Sequence, residues 1–322
     1  MAIKPGVPAP SLAARMGVDD LREQGGVTYR ELRSRSLLNK CTSPRMPFTW
    51  TVNPYRGCAM GCRYCYATYT HEFMGITTPE TFHSLVYVKT GAEEATARRL
   101  ARVVKTGERI ALGTATDPYQ PGEAQARVTR RFLELVAQHR NLRLGIVTKG
   151  ALVLRDLELL QKIHARSNLG IHVSLVTPHA ELARKLDPWA PPPDVRIEVM
   201  RRLVEAGLVT SLGLAPVLPG LTDDEESLDL LLGRVAAAGV RRMFSNVLFL
   251  RSPTREKFLR WLATEFPAYT EAYTRAYADR VYLRGRYRDQ IDARVRALKV
   301  KHGFLDRELE GWTAPEQMTL FE

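Results

Sequence analysis

Apolar and polar residues alternate in short blocks along most of the chain, and these blocks are typical of strands and helices that follow one another. Short apolar runs rich in strand-forming residues predict strands at 48–52, 85–89, 109–115, 142–148, 170–176, 208–217 and 242–250. Helical spacing of apolar residues between them predicts helices at 93–104, 123–139 and 152–166, a helix with Asp194 as its N-cap that ends at Gly207, and a helix between Asp224 and Gly239.

Repeated strand–helix units predict an α/β fold with a parallel sheet covered by helices. The number of units, roughly six or seven, suits a partial TIM-like (β/α)6 barrel. A doubly wound sheet fits the same periodicity. After Pro253 the strand pattern ends, and residues 254–302 are predicted to be helical. We therefore expect an irregular N-terminal extension at 1–45, a core at 46–250 and a helical, basic C-terminal region at 251–322.

The composition narrows the class of protein. Of the 322 residues, 45% are apolar and 25% are charged, which is typical of a globular protein with a sizeable core. No apolar run approaches the ~18 residues of a membrane span, and the N-terminus lacks the apolar region of a signal peptide. We expect no membrane association and a cytoplasmic location. Four cysteines are too few for a disulfide scaffold in a chain of this length.

Positive charge is concentrated near the C-terminus. The formal net charge is +12, and residues 275–301 contribute nine basic against three acidic side chains. Tyr277, Tyr282 and Tyr287 are interleaved with the basic residues. A basic helical stretch with tyrosines can bind nucleic acid through charge and base stacking. The same pattern also fits a solvated helix face.

Three of the four cysteines lie within eight residues, directly after the first strand of the predicted core. Cys58, Cys62 and Cys65 would therefore lie at the carboxyl end of a parallel sheet, where active sites of such folds are found. Three thiolates can bind three irons of a cubane cluster and leave the fourth iron open. Two alternatives remain: a zinc site completed by His71, and a closed cluster completed by Cys41. Otherwise Cys41 is expected to be a small buried residue.

The spacing Cys-x3-Cys-x2-Cys, with Tyr64 before the last cysteine, resembles the signature of the radical S-adenosylmethionine (SAM) superfamily. The resemblance implies a [4Fe–4S] cluster on the three cysteines, with SAM bound to the fourth iron through its amino and carboxylate groups. It further implies reductive cleavage of SAM to a 5′-deoxyadenosyl radical, which abstracts a hydrogen atom from the substrate. An electron donor such as flavodoxin or ferredoxin would supply the electron.

Further segments, in the same order along the chain, resemble the spore photoproduct lyase-like branch of that superfamily: 53–58, 113–119, 148–156, 173–174 and 215–222. The tail resembles that of an actinobacterial-type subgroup. By position, the resemblance implies the following contacts with SAM: Lys149 with the carboxylate, Ser174 by a hydrogen bond, Thr116 and Asp117 in the pocket wall, and Tyr64 with the backbone of Tyr66 beside the adenine.

One position departs from that branch. Spore photoproduct lyase has a hydrogen-donating cysteine three residues before the aspartate of its second strand motif, whereas this chain has Thr114. A hydroxyl is a poor hydrogen-atom donor, so dimer repair itself is not implied; Tyr55 or Tyr119 are the substitutes that the sequence suggests. Three hypotheses follow: a radical SAM enzyme acting on nucleic acid, one acting on a small molecule or peptide, and a non-catalytic iron–sulfur or zinc protein.

Overall fold

The structure is a computed structural model that describes residues 26–44 and 46–305. Its strands, in chain order, are β1 (Thr28–Arg33), β2 (Leu38–Lys40), β3 (Trp50–Val52), β4 (Tyr55–Arg56), β5 (Leu85–Thr90), β6 (Arg109–Leu112), β7 (Arg143–Thr148), β8 (Asn168–Ser174), β9 (Val209–Val217) and β10 (Arg242–Val247). Its α-helices are α1 (Thr81–Ser84), α2 (Glu93–Thr106), α3 (Glu123–Ala126), α4 (Val128–Val136), α5 (Leu157–His164), α6 (Ala180–Leu186), α7 (Pro193–Glu205), α8 (Glu225–Ala237), α9 (Thr254–Glu265), α10 (Pro267–Ala276) and α11 (Arg286–Lys301).

The main sheet has the order β10-β9-β8-β7-β6-β3-β2. β3 and β6 to β10 are parallel, and β2 is antiparallel to β3 at the edge. The strand order follows the chain in one direction, as in a barrel, whereas a doubly wound sheet reverses its order at a switch point. The partial (β/α)6 barrel predicted from the sequence is therefore confirmed.

A second, three-stranded sheet corrects two predictions. It has the order β1-β5-β4, with β5 parallel to β1 and antiparallel to β4. The strand predicted at 85–89 is present, but it belongs to this small sheet and not to the barrel. The N-terminal segment is not irregular throughout, because β1 pairs with β5 and β2 extends the main sheet. Residues 1–25 lie outside the described residues.

The helices largely follow the predicted positions, with local differences. The helix predicted at 123–139 is divided at Arg127, which has φ 52°. The one predicted at 152–166 begins as a 3-10 helix, Ala151–Asp156. The prediction of Asp194 as an N-cap is wrong, because α7 already begins at Pro193. Asp224 does cap α8, since its side chain accepts a hydrogen bond from the Ser227 amide at 2.8 Å.

The C-terminal region is helical, as predicted, over α9, α10 and α11. α11 lies against α8: the Tyr287 hydroxyl donates to Asp223, and His302, just beyond the helix, contacts Asp229. None of the described helices is long and apolar enough to cross a membrane.

Candidate active site

The cysteine loop lies at the carboxyl edge of the parallel strands and is held there by other segments. The Ala59 amide donates to the Gln120 side chain at 2.8 Å, and the Thr116 hydroxyl donates to the Gly57 carbonyl at 2.6 Å. On the other side of the loop, the Arg63 amide donates to the carbonyl of Leu186 at 2.9 Å. Hydrogen bonds on both flanks therefore fix the loop before any ligand binds.

Two of the three cysteines of the loop are fully shielded from water, and the third is partly shielded. Cys58 and Cys62 are buried and Cys65 is half-buried. The Sγ atom of Cys58 accepts a hydrogen bond from the Asp117 amide at 3.3 Å. Burial, with the charge of Asp117 beside it, raises the pKa of Cys58 to about 12. Its thiolate therefore requires a cation in the site, which is what an iron–sulfur cluster supplies.

The arrangement does not fit a single metal ion. Within residues 26–44 and 46–305, no three His, Cys, Asp or Glu side chains converge on one point. Zinc would need its thiolates at about 2.3 Å from one centre, whereas a cubane cluster takes each thiolate on a different iron. His71 is buried against Phe82 and Tyr87 and does not complete a zinc site. Three thiols that do not converge on one centre therefore suit a cluster that takes each of them on a different iron.

Cys41 is not a further cluster ligand. Its amide donates to the Thr49 carbonyl at 2.7 Å, which places it at the start of β3, while the cysteine loop follows the other end of that strand. Cys41 is also half-exposed, so the prediction that it is a small buried residue is wrong. β2 is an edge strand, and its end therefore remains accessible to solvent.

Asp117, after β6, joins the ends of two strands. Its Oδ1 accepts from the Thr148 hydroxyl at 2.6 Å and from the Tyr119 amide at 2.9 Å, and its Oδ2 accepts from the Lys149 amide at 2.7 Å. Gly113, before it, has φ +90°, and a Cβ atom there would lie 2.4 Å from the Val147 carbonyl oxygen. A glycine is needed for this close approach. Oδ2 of Asp117 thus positions the backbone of Lys149, and Oδ1 holds the neighbouring Thr148.

Lys149 lies directly after β7 and faces the cysteine loop. Its Nζ is 5.5 Å from the centroid of the Tyr64 ring, within the range of a cation–π contact. Burial opposes its charge, but Cys62 and Asp187 outweigh burial and raise the pKa of Lys149 above its usual value. The side chain is therefore a charged, directed cation beside the cysteines.

A buried ion pair, which sequence reasoning missed, completes this part of the site. Arg196 Nη1 lies 3.0 Å from Asp187 Oδ2, and both side chains are 1% exposed. Arg196 also donates to the carbonyls of Ser174, at 3.1 Å, and Pro191, at 2.6 Å. Burial would raise the pKa of Asp187, but Lys149 and Arg196 outweigh burial and hold that pKa below its usual value. Neither residue lies at the end of a strand, so the predicted strands did not indicate a role in the site for either of them.

A buried polar atom beside the cysteines lacks a partner. Arg196 Nη2 makes no hydrogen bond with any described residue. Asp187 and Tyr64 are near enough to hydrogen-bond with each other, and Asp187 Oδ1 and Tyr64 Oη have no further partner among the described residues. Buried polar groups are nearly always hydrogen-bonded, so an exception calls for an explanation such as a bound ligand. Arg196 Nη2 offers a donor, and Asp187 an acceptor, to a polar, charged ligand.

The other residues predicted to contact SAM lie at the same edge of the sheet, and they differ in the hydrogen bonds that they make. Ser174 is buried at the end of β8, while the hydroxyl of Thr116 is committed to the cysteine loop. The Tyr66 hydroxyl donates to the Thr114 carbonyl, and the Thr114 hydroxyl is hydrogen-bonded with Asn53. The structure thus gathers all six predicted SAM contacts around the cysteines. Their contacts with SAM stay predictions.

The two tyrosines suggested as hydrogen donors lie deeper in the protein. The hydroxyl of Tyr55 donates to the buried carboxylate of Glu123. Tyr119 is 2% exposed. Burial, together with the charges of Asp156 and Glu123, raises its pKa well above the usual value. Tyr66 is the tyrosine that approaches Thr114.

Comparison with known proteins agrees with this site. The family model described as the radical SAM superfamily matches residues 52–231. The chain belongs to the radical SAM superfamily. Proteins of this family use a [4Fe–4S] cluster and SAM, and matching residues 52–231 include all three cysteines of the loop.

Relatives and solved structures extend the comparison. The Mycobacterium tuberculosis protein Rv2578c is 37% identical over 92% of this chain and 89% of its own length. The Methanocaldococcus jannaschii protein MJ0683 is 24% identical over 79% of this chain and 89% of its own. A spore photoproduct lyase variant with bound AdoMet and dinucleoside spore photoproduct superposes with a TM-score of 0.64 at 16% identity, covering 94% of this chain and 86% of that chain. The predicted likeness to spore photoproduct lyase is thereby confirmed for the fold.

Proposed function

We propose that this chain is a radical SAM enzyme that binds a [4Fe–4S] cluster through Cys58, Cys62 and Cys65 and acts on nucleic acid. The observation that carries the cofactor assignment is a set of three neighbouring thiols, two of them buried, beside the unpartnered Nη2 atom of Arg196. When bound and reduced, the cluster with SAM supplies a 5′-deoxyadenosyl radical for hydrogen abstraction. Enzymes of this family need a reductant, and we propose flavodoxin or ferredoxin as the donor.

The polar groups of the site match the charged end of SAM. Lys149 and Arg196 supply positive charge suited to a carboxylate. Asp187 Oδ1 is an acceptor suited to an ammonium group. Asp117 holds the Lys149 backbone, and Ser174 presents a hydroxyl from the adjacent strand end. We therefore assign SAM binding to the edge formed by β7, β8 and the cysteine loop.

The experiment for the cofactor step is anaerobic reconstitution with iron and sulfide, followed by dithionite and SAM. Wild type is expected to form 5′-deoxyadenosine, and Cys62→Ala is expected to form none. Cys41→Ala is the matched control, since Cys41 lies at the other end of β3, and it should behave as wild type. A fully loaded, reduced cluster that neither binds nor cleaves SAM would contradict the assignment.

The nucleic-acid assignment is supported by a basic loop beside the site. Arg280, Arg284 and Arg286 are exposed and form no ion pair with any described residue. The loop at 280–286, here the arginine loop, is joined to the site through two ring contacts: Tyr282 lies 5.6 Å from Phe249, and Phe249 lies 5.7 Å from Tyr66. The Leu250 amide also donates to the Val281 carbonyl at 2.8 Å.

Only some residues of the basic stretch 275–301 are available to bind nucleic acid. Tyr277 and Tyr282 are buried, and the Tyr287 hydroxyl is engaged by Asp223. Two of the three interleaved tyrosines are therefore not available for base stacking, whereas the ring of Tyr287 is partly exposed. Part of the charge is also compensated, by the pairs Arg288–Asp292 and Lys301–Asp229. The uncompensated charge that remains near the site is the arginine loop.

Phosphate contacts predict a steep dependence of affinity on salt. Binding of a single-stranded oligonucleotide is measured by fluorescence anisotropy at several salt concentrations. Changing Arg280, Arg284 and Arg286 together to Ala should reduce the slope of log affinity against log salt concentration by roughly two, at about 0.7 per lost phosphate contact. The control changes three exposed cations on the opposite side of the barrel, Arg102, Arg140 and Lys162. Equal effects of the two triple variants, or no binding at low salt, would favour a small molecule or peptide as substrate.

A further inference from the structure

Lys257, on α9, is a buried lysine with no partner for its ammonium group. Its side chain is 8% exposed, and Nζ makes no hydrogen bond with any described residue. Lysine is rarely buried unless it is paired, because burial of an isolated charge is costly. The C-terminal helical region, to which Lys257 belongs, is not part of the family match, which ends at residue 231. The buried position of the Lys257 ammonium group therefore predicts a negatively charged ligand beside it.

α9 is docked directly on the cysteine loop. The Thr254 hydroxyl donates to the Cys65 carbonyl at 2.8 Å and is hydrogen-bonded with the hydroxyl of Thr68 at 2.7 Å. Lys257 is three residues farther along, so its side chain lies on the same face of the helix as Thr254. That face is turned toward the loop.

Lys257 shares this space with a histidine and an arginine. His83 donates through Nδ1 to the Cys58 carbonyl at 2.8 Å, so Nε2 of the neutral ring is an acceptor. The Nε of Arg63, between Cys62 and Cys65, is also buried without a partner. Lys257 therefore adds positive charge beside Cys65, on which Lys149 also acts.

The acidic neighbour of Lys257 does not cancel its charge. Glu80 influences Lys257 electrostatically, but it is half exposed and already paired with Arg260 at 2.8 Å. Burial lowers the pKa of Lys257, and the other groups whose negative charge would favour its ammonium form are Cys65 and Cys62. In water-poor surroundings a charge acts over a longer range than at the surface. The charge of Lys257 therefore acts mainly on the group that the cysteines bind.

Reduction adds one negative charge to an iron–sulfur cluster, and net charge and solvent exposure are among the factors that set cluster potentials. We propose that Lys257 raises the reduction potential of the [4Fe–4S] cluster held by the three cysteines, so that the electron donor can reduce it more readily. This inference rests on the proposed function. Lys257 would act through the cluster and not on the substrate.

The test is a potentiometric titration of reconstituted protein without SAM, with the reduced cluster followed by electron paramagnetic resonance. Lys257→Met should shift the midpoint to a more negative potential, and Lys257→Arg should stay near wild type. Lys185→Met is the control, because Lys185 lies at the surface and is paired with Glu265 at 3.1 Å; its midpoint should not move.

The outcomes separate this inference from the proposed function. If wild type assembles no four-iron cluster, the proposed function fails. If Lys257→Met holds full iron at the wild-type potential, only the role of Lys257 fails. Lys257→Gln, which is neutral but polar, replaces Lys257→Met if the latter does not fold. Loss of the cluster from both neutral variants would assign Lys257 a structural role and overturn the proposal.

Discussion

Two buried clusters of charged side chains flank β7, and they differ in how completely their hydrogen bonds are satisfied. In the first, both oxygens of Glu123 and of Asp156 accept hydrogen bonds; the donors are the Arg155 and Arg130 side chains, the Tyr55 hydroxyl and the amides of Thr129 and Arg130. In the second, Asp187 and Arg196 are paired, yet Nη2 of the buried Arg196 side chain has no partner among the described residues.

The difference indicates which cluster maintains the fold and which receives a ligand. A buried network whose carboxylates are fully hydrogen-bonded has no capacity left for another molecule, and it fixes the segments that it joins. A buried network with open positions carries a desolvation cost that a polar ligand can offset. We therefore interpret the Glu123 cluster as structural and the Asp187 cluster as part of the SAM site.

The largest expected effect is on the structural cluster. Glu123→Gln keeps the shape of the side chain but removes its charge and presents an amide to four donors. Breaking a buried ion pair on one side costs roughly 3–5 kcal/mol of unfolding free energy. Urea unfolding should show this loss, while SAM affinity of the folded variant stays at the wild-type value.

A surface carboxylate in the same region provides the control for that variant. Glu134 pairs with Arg130 at 3.2 Å and is half exposed, so Glu134→Gln should cost less than about 1 kcal/mol. A comparable loss in both variants, or a weakened SAM affinity in Glu123→Gln, would remove the distinction between the two clusters.

The next effect is on the ligand-binding cluster. Lys149→Met removes the cation that faces the cysteines and keeps most of the apolar chain. A hydrogen bond to a charged group contributes about 1.5–3 kcal/mol, so the Kd for SAM should rise roughly 10- to 150-fold. Equilibrium dialysis with the reconstituted protein measures it. Lys185→Met is the matched control at the surface, and an unchanged Kd in Lys149→Met would exclude Lys149 from the site.

The parts of the site that are close in sequence could be predicted, because their chemistry is local. The spacing of Cys58, Cys62 and Cys65 defines a cluster loop by itself. Lys149 follows a predicted strand and Ser174 lies near the end of the next, and parallel strands place their carboxyl ends at one edge; their contacts with SAM were implied by the family resemblance. The same alternation of strands and helices predicted a parallel sheet covered by helices, but it fits a barrel and a doubly wound sheet equally well.

The remainder depended on packing that one sequence does not reveal. Asp187 and Arg196 meet because the segment after α6 folds back onto α7, and neither residue lies in a motif. β5 has the pattern of a barrel strand, but its register with β1 places it in the small sheet. Tyr277 is buried because its hydroxyl reaches the Leu248 carbonyl, at 2.8 Å, a contact between segments about thirty residues apart along the chain.

The smallest expected effect concerns the neutral contact between α9 and the cysteine loop. Thr254→Val preserves the shape of the side chain and deletes the hydroxyl that donates to the Cys65 carbonyl. A neutral hydrogen bond contributes about 0.5–1.5 kcal/mol, so the unfolding free energy should fall by that amount, and the cluster should be lost faster in air because its loop is less firmly held. Thr264→Val, on the exposed side of the same helix where Thr264 bonds only with the Arg260 carbonyl, should change neither quantity. Equal rates of cluster loss in the two variants would show that α9 does not support the loop, and Lys257 would then need another route to the cluster.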